Sequence, residues 1–204
     1  MSNTNYFKQM KTFELKGSVR ADLGKKASKA ERVSENVPCV LYGGANNVHF
    51  TATASDLRKL IYSPDVFVVQ LDIDGQKCNS IMKALQFHPV TDKVIHIDFL
   101  QVTEDKPVVV EIPVKLEGLA EGVKAGGKLA LEMRKLKVKG LYNQIPERIV
   151  IDVTSLGLGK SIQVGNVTAE NLEILNAKNA VVAQVKLTRA ARGAAASAAA
   201  AGKK

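Results

Sequence analysis

VRADLGKKASKAERVSENVPCVLYGG, residues Val19–Gly44, compresses a turn, a short helix and a strand into one stretch. Gly24 punctuates a loop, and Ser28-Lys-Ala-Glu31 has capping-box spacing, which predicts a helix over about 28–35. Lys29 and Arg32 then stand i and i+3 on one face, while Ala30 and Val33 turn elsewhere. Pro38 ends that element, because the residue before a proline disfavours helix. Pro38-Cys-Val-Leu-Tyr42 is the next strand, closed by Gly43-Gly44. Counting from Lys16, six cations (Lys16, Arg20, Lys25, Lys26, Lys29, Arg32) meet two acids, Asp22 and Glu31. From charge alone, this is either a solvated cationic face or a contact for a polyanion.

Outward from this stretch the chain reads as short strands. Phe13, Leu15 and Val19 alternate with polar residues, the mark of a half-buried strand. Val48–Thr53 is another, and Ser55 can cap a helix carrying Leu57, Leu60 and Ile61, stopped near Ser63-Pro64. Val66–Ile73 and Gln76–Gln86 flank Asp74-Gly75, a strong hairpin signal. His88-Pro89 and Thr91-Asp92 mark a further reversal before KVIHIDFLQV, residues Lys93–Val102. There Ile95, Ile97 and Phe99 share the core face, so His96 and Asp98 share the outer one. Six strands and two short helices predict a compact β-barrel or sandwich with α additions over residues 11–102.

Thr103–Lys106 reads as a linker into a second β-rich domain, residues 103–187. Its strand signals are Val108–Leu116, Lys128–Lys139, Arg148–Val153 and Ala180–Leu187, with a glycine-rich hairpin loop at Gly118–Gly127. Helical signal is confined to Ala169–Leu175. Residues 188–204 form a low-complexity, Ala-rich basic tail with no apolar face to dock, and disorder is expected there. The fold class is therefore mainly β, with short helices.

Of the 204 residues, 46% are hydrophobic and 24% charged, as in a soluble globular protein. No run approaches the roughly 18 apolar residues of a membrane span, and MSNTNYFKQMKTF lacks a signal core, so a cytoplasmic location is expected. The net charge of +9 divides unevenly. Residues 1–102 carry 13 Lys and Arg against 10 acids, residues 103–187 carry 12 against 10, and the tail carries 4 against none. A polyanion must therefore be met by local clusters.

Chemistry-bearing constellations are few. Cys39 and Cys78 stand singly, as small core hydrophobes do in a reducing compartment. With His49, His88 and His96 they make no metal-ligand spacing, and neither metal nor cofactor is expected. Gly157-Leu-Gly-Lys-Ser161 ends like a P-loop, but Thr154 stands where the first glycine belongs and no helical pattern follows. Gly122–Gly127 is either a hairpin loop or an amide cradle for an anion. No serine lies in GxSxG and neither cysteine has a nucleophile signature, so no enzyme is predicted. His96 with Asp98 stays open between a solvated strand face, a recognition pair and a general base without a nucleophile. Tyr42 can donate to a phosphate or 2′-OH, or stack. The absence of Trp points away from a single-strand stacking platform and towards structured RNA.

Arg20…Gly24-Lys25…Ser28-Lys29…Arg32…Val37-Pro-Cys-Val-Leu-Tyr-Gly-Gly44, Leu85-Gln-Phe-His-Pro89 and His96-Ile-Asp-Phe99 resemble the bacterial ribosomal protein L25 family. Gly118–Gly127 and Ile145-Pro-Glu-Arg-Ile-Val-Ile-Asp152 resemble the second β-domain of its two-domain form, the general stress protein Ctc type. The resemblance spans roughly residues 11–187. It implies a non-enzymatic component of the large ribosomal subunit that binds 5S rRNA near the central protuberance, beside other large-subunit proteins. The same resemblance implies an N-terminal barrel docked on the widened minor groove of an internal loop. Off the ribosome a monomer is expected. The RNA-binding positions it implies are Arg20, Arg32, Tyr42, His96 and Asp98, supported by Lys25 and Lys29. Ala30, Glu31, Lys29 and Phe87 depart from the residues usual there, which removes cations and adds an acid. A protein-interaction or stress module acting through residues 103–187 is the alternative.

Overall fold

The computed structural model describes residues 10–169 and 171–189; the tail residues 190–204 lie outside them. The described chain forms two compact units, residues 10–110 with 140–147, and residues 111–139 with 148–189.

The first unit is a closed barrel. Its strands are β1 (Lys11–Val19), β2 (Asn36–Tyr42), β3 (Val48–Thr53), β4 (Phe67–Ile73), β5 (Gln76–Phe87) and β6 (Val94–Gln101), ordered β1-β3-β2-β6-β5-β4. Two neighbouring pairs are parallel, β1 with β4 and β2 with β6, and the rest antiparallel. Leu15, Val37, Cys39, Leu41, Phe50, Leu71, Ile97 and Phe99 fill the interior. Cys78 packs against this core as a free thiol, and Cys39 lies within it as another. Helix α2 (Ala54–Ile61) adds Leu57 and Leu60 to the core. The β4–β5 turn has φ of 47° at Asp74 and 88° at Gly75, the pair of positive angles that a two-residue hairpin of this hand requires.

Both helices start earlier than the sequence predicts. Helix α1 spans Lys25–Val33, with Gly24 as its N-cap at φ 127°. The Ser28 N–H donates to the Gly24 carbonyl at 3.0 Å, so Ser28 lies inside the helix and makes no capping box. The turn conformation open to glycine sets the start instead. The helix stops at Ser34 and Glu35, the latter at φ 59°, and Pro38 sits inside β2. For α2 the N-cap is Thr53 rather than Ser55, and its hydroxyl lies 2.6 Å from Asp56 Oδ2.

Residues 140–147 belong with the barrel although they follow the first strands of the second unit. They contain a 3₁₀ turn at Tyr142–Gln144 and bury Ile145 and Glu147. Glu147 Oε1 accepts from Lys11 Nζ at 2.7 Å.

The second unit carries β7 (Val108–Glu117, which begins in the first), α3 (Glu121–Lys124), β8 (Lys128–Leu131), β9 (Lys135–Gly140), β10 (Ile149–Asp152), β11 (Ser161–Gln163), β12 (Glu173–Ile174) and β13 (Val181–Lys186). They form sheets ordered β10-β7-β9-β12 and β11-β13-β8. The scant helical signal over Ala169–Leu175 gives no helix among the described residues; β12 pairs there with β9 through Glu173–Lys139 and Ile174–Val138. Sheet pairing overrides a weak local preference there. Among the described residues no helix is long and apolar enough to cross a membrane.

Candidate nucleic-acid interface

On β2, Val37, Cys39 and Leu41 point into the core, which turns Val40 and Tyr42 outward. On β6, Ile97 and Phe99 point in, and His96 and Asp98 point out. The parallel register sets Cys39 beside Ile97, Val40 beside Asp98 and Tyr42 beside Leu100. Tyr42 is thus the diagonal outward neighbour of Asp98. Burial first, and then the Asp98 charge, holds the Tyr42 phenol above its ordinary pKa, so it remains an O–H donor at neutral pH.

The sequence leaves open whether His96 and Asp98 touch, and they do. His96 Nδ1 lies 2.8 Å from Asp98 Oδ1, with both side chains about 30% exposed (29% and 31%). A carboxylate only accepts, so Nδ1 carries the proton and the ring is oriented with Nε2 as its free edge. The pair presents an oriented imidazole edge and a carboxylate with acceptor capacity to spare.

Helix α1 packs against β2 through half-buried Ala27, Ser28 and Glu31, a stripe at i, i+1 and i+4. Lys25, Lys29 and Arg32, at i, i+4 and i+7, are exposed together on another face, with Lys26 beside them. None of these cations lies within 4.0 Å of a carboxylate oxygen among the described residues. Arg32 Nε donates to the Ile95 carbonyl at 3.2 Å, which brings the C-terminal turn of α1 to the strand that carries His96. Arg20 Nη2 donates to Ser28 Oγ at 3.0 Å and to the Asp22 carbonyl at 3.3 Å, fixing its guanidinium at the entrance to α1. Glu31, a departure that adds an acid, does not share the cationic stripe; its Oε2 accepts from Asn36 Nδ2 at 3.0 Å.

The structure therefore gathers the seven predicted residues around α1, β2 and β6. One electrostatic consequence lies beneath them. Burial first and then the Asp98 charge, opposed by Arg20, push the Cys39 thiol up to about 12. That thiol is inside the barrel while His96 is outside, so Cys39 is no nucleophile for a His96–Asp98 base.

His49, which by sequence offers only a possible metal partner, belongs to this face. It is exposed on β3, its carbonyl accepts from the Arg20 N–H at 2.9 Å, and it stands across from Val40. It occupies the outward row between Arg20 and Asp98. The alternation of Val48, Phe50 and Ala52 inward with His49 outward is the available signal.

The other candidates resolve differently. In Gly122–Gly127 each backbone N–H from Glu121 to Gly127 donates to a backbone carbonyl, so no amide cradle remains for an anion. The segment is not a plain hairpin loop either, because it includes α3. Gly157–Ser161 lies in the connection between β10 and β11 and leads into a strand, as its missing helical pattern predicts.

Residues 15–99 match the family described as Ribosomal L25p, and residues 107–189 match Ribosomal protein TL5, C-terminal domain. The chain is 59% identical over 196 residues to the large ribosomal subunit protein bL25 of Phocaeicola vulgatus, covering 93% of this chain and 99% of that one. It is 61% identical over 188 residues to bL25 of Porphyromonas gingivalis, covering 91% and 98%. The bL25 protein of Azobacteroides pseudotrichonymphae is 61% identical over 184 residues, covering 90% and 97%. This chain, with an L25p domain followed by a TL5 C-terminal domain, belongs to the bL25 family of large ribosomal subunit proteins.

Proposed function

We propose that the protein binds 5S rRNA as part of the large subunit of the cytoplasmic ribosome, through the α1, β2 and β6 face of its barrel. The observation that carries this is an exposed cationic stripe without carboxylate partners, set beside an oriented His96–Asp98 pair. Lys25, Lys29 and Arg32 follow one side of a phosphate backbone, where lysine acts as a point charge and arginine as a bidentate donor. Arg20 contacts the same strand from the start of the helix. Tyr42 donates its phenol O–H to a phosphate or ribose 2′-OH. Asp98 accepts from a guanine N2 amine or a 2′-OH in a minor groove, which no cation can do. An acid at a polyanion weakens attraction and adds selectivity. The domain built on residues 11–102 acts as the RNA-binding one.

The test is binding of the full chain to a 5S rRNA fragment containing the internal loop. Arg20→Ala and Arg32→Ala each weaken it by about 1–3 kcal/mol, by analogy with specific contacts to DNA. Binding also falls steeply with salt as counterions are released. Unchanged affinity in both variants removes the site. Co-sedimentation of the untagged protein with large subunits in sucrose gradients tests the ribosomal assignment itself.

A further inference from the structure

The barrel wall that lies across the barrel from β2 and β6 is formed by β1 and β4, given the strand order. Its outward residues pair in rows. Thr12 stands beside Val68, and in the next row Glu14 stands beside Gln70 and Gln70 beside Asn79. Tyr142 and Asn143, from the returning 3₁₀ turn, and Glu104, from the segment after β6, join this wall around a groove of about 460 Å³. Met10 and Val68 supply its apolar surface.

The groove's chemistry is one-sided. Among the described residues Glu104 is the charged residue of its lining, and no Lys, Arg or His lines it. Glu14 lies outside that lining, beside Gln70, and the next outward row sets Lys16 and Lys77 on either side of Asp72. Tyr142 Oη lies 3.5 Å from Glu104 Oε1, a long contact that leaves the carboxylate free to accept more. The amides of Gln70, Asn79 and Asn143 add carbonyl acceptors from three separate segments. Such a lining repels a phosphate and suits a cation. A guanidinium, with its five donors in a planar fork, can satisfy acceptors spread over several elements, and it stacks on a phenol ring as an ammonium does not. Val68 and Met10 offer surface to an aliphatic stem.

We infer that this groove is a binding site for an arginine side chain presented by a protein partner. Arginine docks with its guanidinium between Glu104 and the Gln70–Asn79 row, beside the Tyr142 ring. The site does not depend on RNA binding, since it uses none of the residues of the α1, β2 and β6 face.

The experiment is a ¹H–¹⁵N NMR titration of the full chain with N-acetyl-arginine methylamide, and with its lysine and citrulline counterparts. Arginine shifts Gln70, Asn79, Tyr142 and Asn143 saturably. Citrulline, of similar shape but uncharged, gives no saturation over the same range, and lysine binds more weakly. Glu104→Gln weakens arginine binding by about tenfold, the loss of a charge-assisted contact. Tyr142→Phe keeps the ring and most of the affinity. Equal response to citrulline, equal affinity for lysine, arginine shifts confined to residues elsewhere, or binding unaffected by Glu104→Gln each overturn the inference.

Discussion

The two stretches 1–102 and 103–187 carry nearly the same excess charge, yet they arrange it differently. Residues 1–102 hold 13 cations against 10 acids, and residues 103–187 hold 12 against 10. In the second unit Lys115, Lys137, Lys139 and Lys186 lie 2.7–3.6 Å from Glu117, Glu111, Glu173 and Glu132. On α1, Lys25, Lys26, Lys29 and Arg32 have no such partner among the described residues. Exposed ion pairs add little stability, but each cancels a charge that a polyanion would otherwise meet. What sets α1 apart is that its unpaired cations share one exposed helix face.

The harshest way to break this contrast is to reverse both sets. Lys25→Glu, Lys29→Glu and Arg32→Glu together lower affinity for the 5S rRNA fragment by roughly 3 kcal/mol or more, about a hundredfold. Lys115→Glu, Lys137→Glu and Lys139→Glu together change it by less than about threefold, the scale of a screened charge that touches no RNA. Filter binding at fixed salt measures both. Similar losses from the two triples end the distinction.

Next in size is a change to backbone packing. A Cβ on Gly122 would lie 2.6 Å from the Gly157 carbonyl carbon and 2.7 Å from the Leu158 nitrogen. Backbone cannot yield as a side-chain tip does, so Gly122→Ala destabilises the second unit by about 1–3 kcal/mol. Thermal unfolding reads the loss, while RNA affinity at 25 °C stays within about twofold, as independent sites behave. A matching loss of RNA affinity would mean that the barrel's face depends on the second unit.

How much of this was legible beforehand follows the range of the interactions. Local rules placed the Asp74-Gly75 hairpin and put His96 and Asp98 on the outer side of β6, because alternation and turn chemistry are written residue by residue. Charge spacing found the α1 stripe, although capping-box spacing started the helix too late, at Ser28 instead of Lys25. The strand pattern left barrel and sandwich open and the family resemblance implied the barrel that is found; the parallel pairs that close it, Lys11–Phe67 through Gly17–Ile73 and Cys39–Ile97 through Tyr42–Leu100, were not legible. Nor was the return of residues 140–147, which brings Glu147 onto Lys11 across 136 positions and buries Ile145. No window of sequence contains such partners. The His96–Asp98 contact needed side-chain rotamers, which alternation does not supply.

A finer cut separates attraction from discrimination within the barrel. Asp98→Asn removes a charge and keeps one carbonyl acceptor, so phosphate repulsion falls while the His96 ring loses its charged partner. Affinity for a fully paired duplex rises slightly, and the preference for the internal-loop fragment drops by about 1 kcal/mol. The ratio of the two dissociation constants is the measurement. A preference that survives unchanged assigns discrimination to other residues, with His49 the next to substitute.

The smallest effect concerns the neutralised surface itself. Glu132 accepts from Lys186 Nζ and Gln184 Nε2, each at 2.7 Å, and these bonds hold its carboxyl below the ordinary range. A folded-state pKa below the unfolded one means that the unfolded chain takes up the proton first as pH falls. The stabilisation is therefore complete above the unfolded value near 4.5 and is lost as pH drops through the lowered folded one. Glu132→Gln removes this dependence. In urea titrations the variant is slightly less stable than the parent at pH 7, and the gap narrows as pH falls below the unfolded value near 4.5. A gap that does not narrow on acidification would trace the loss to packing or hydrogen bonding and not to charge. Asp152, held low by the hydroxyl and N–H of Thr154, has no cation in its pKa shift. Added salt therefore weakens the Glu132 contribution and leaves that of Asp152 nearly unchanged, which isolates ion pairing from hydrogen bonding on the same unit.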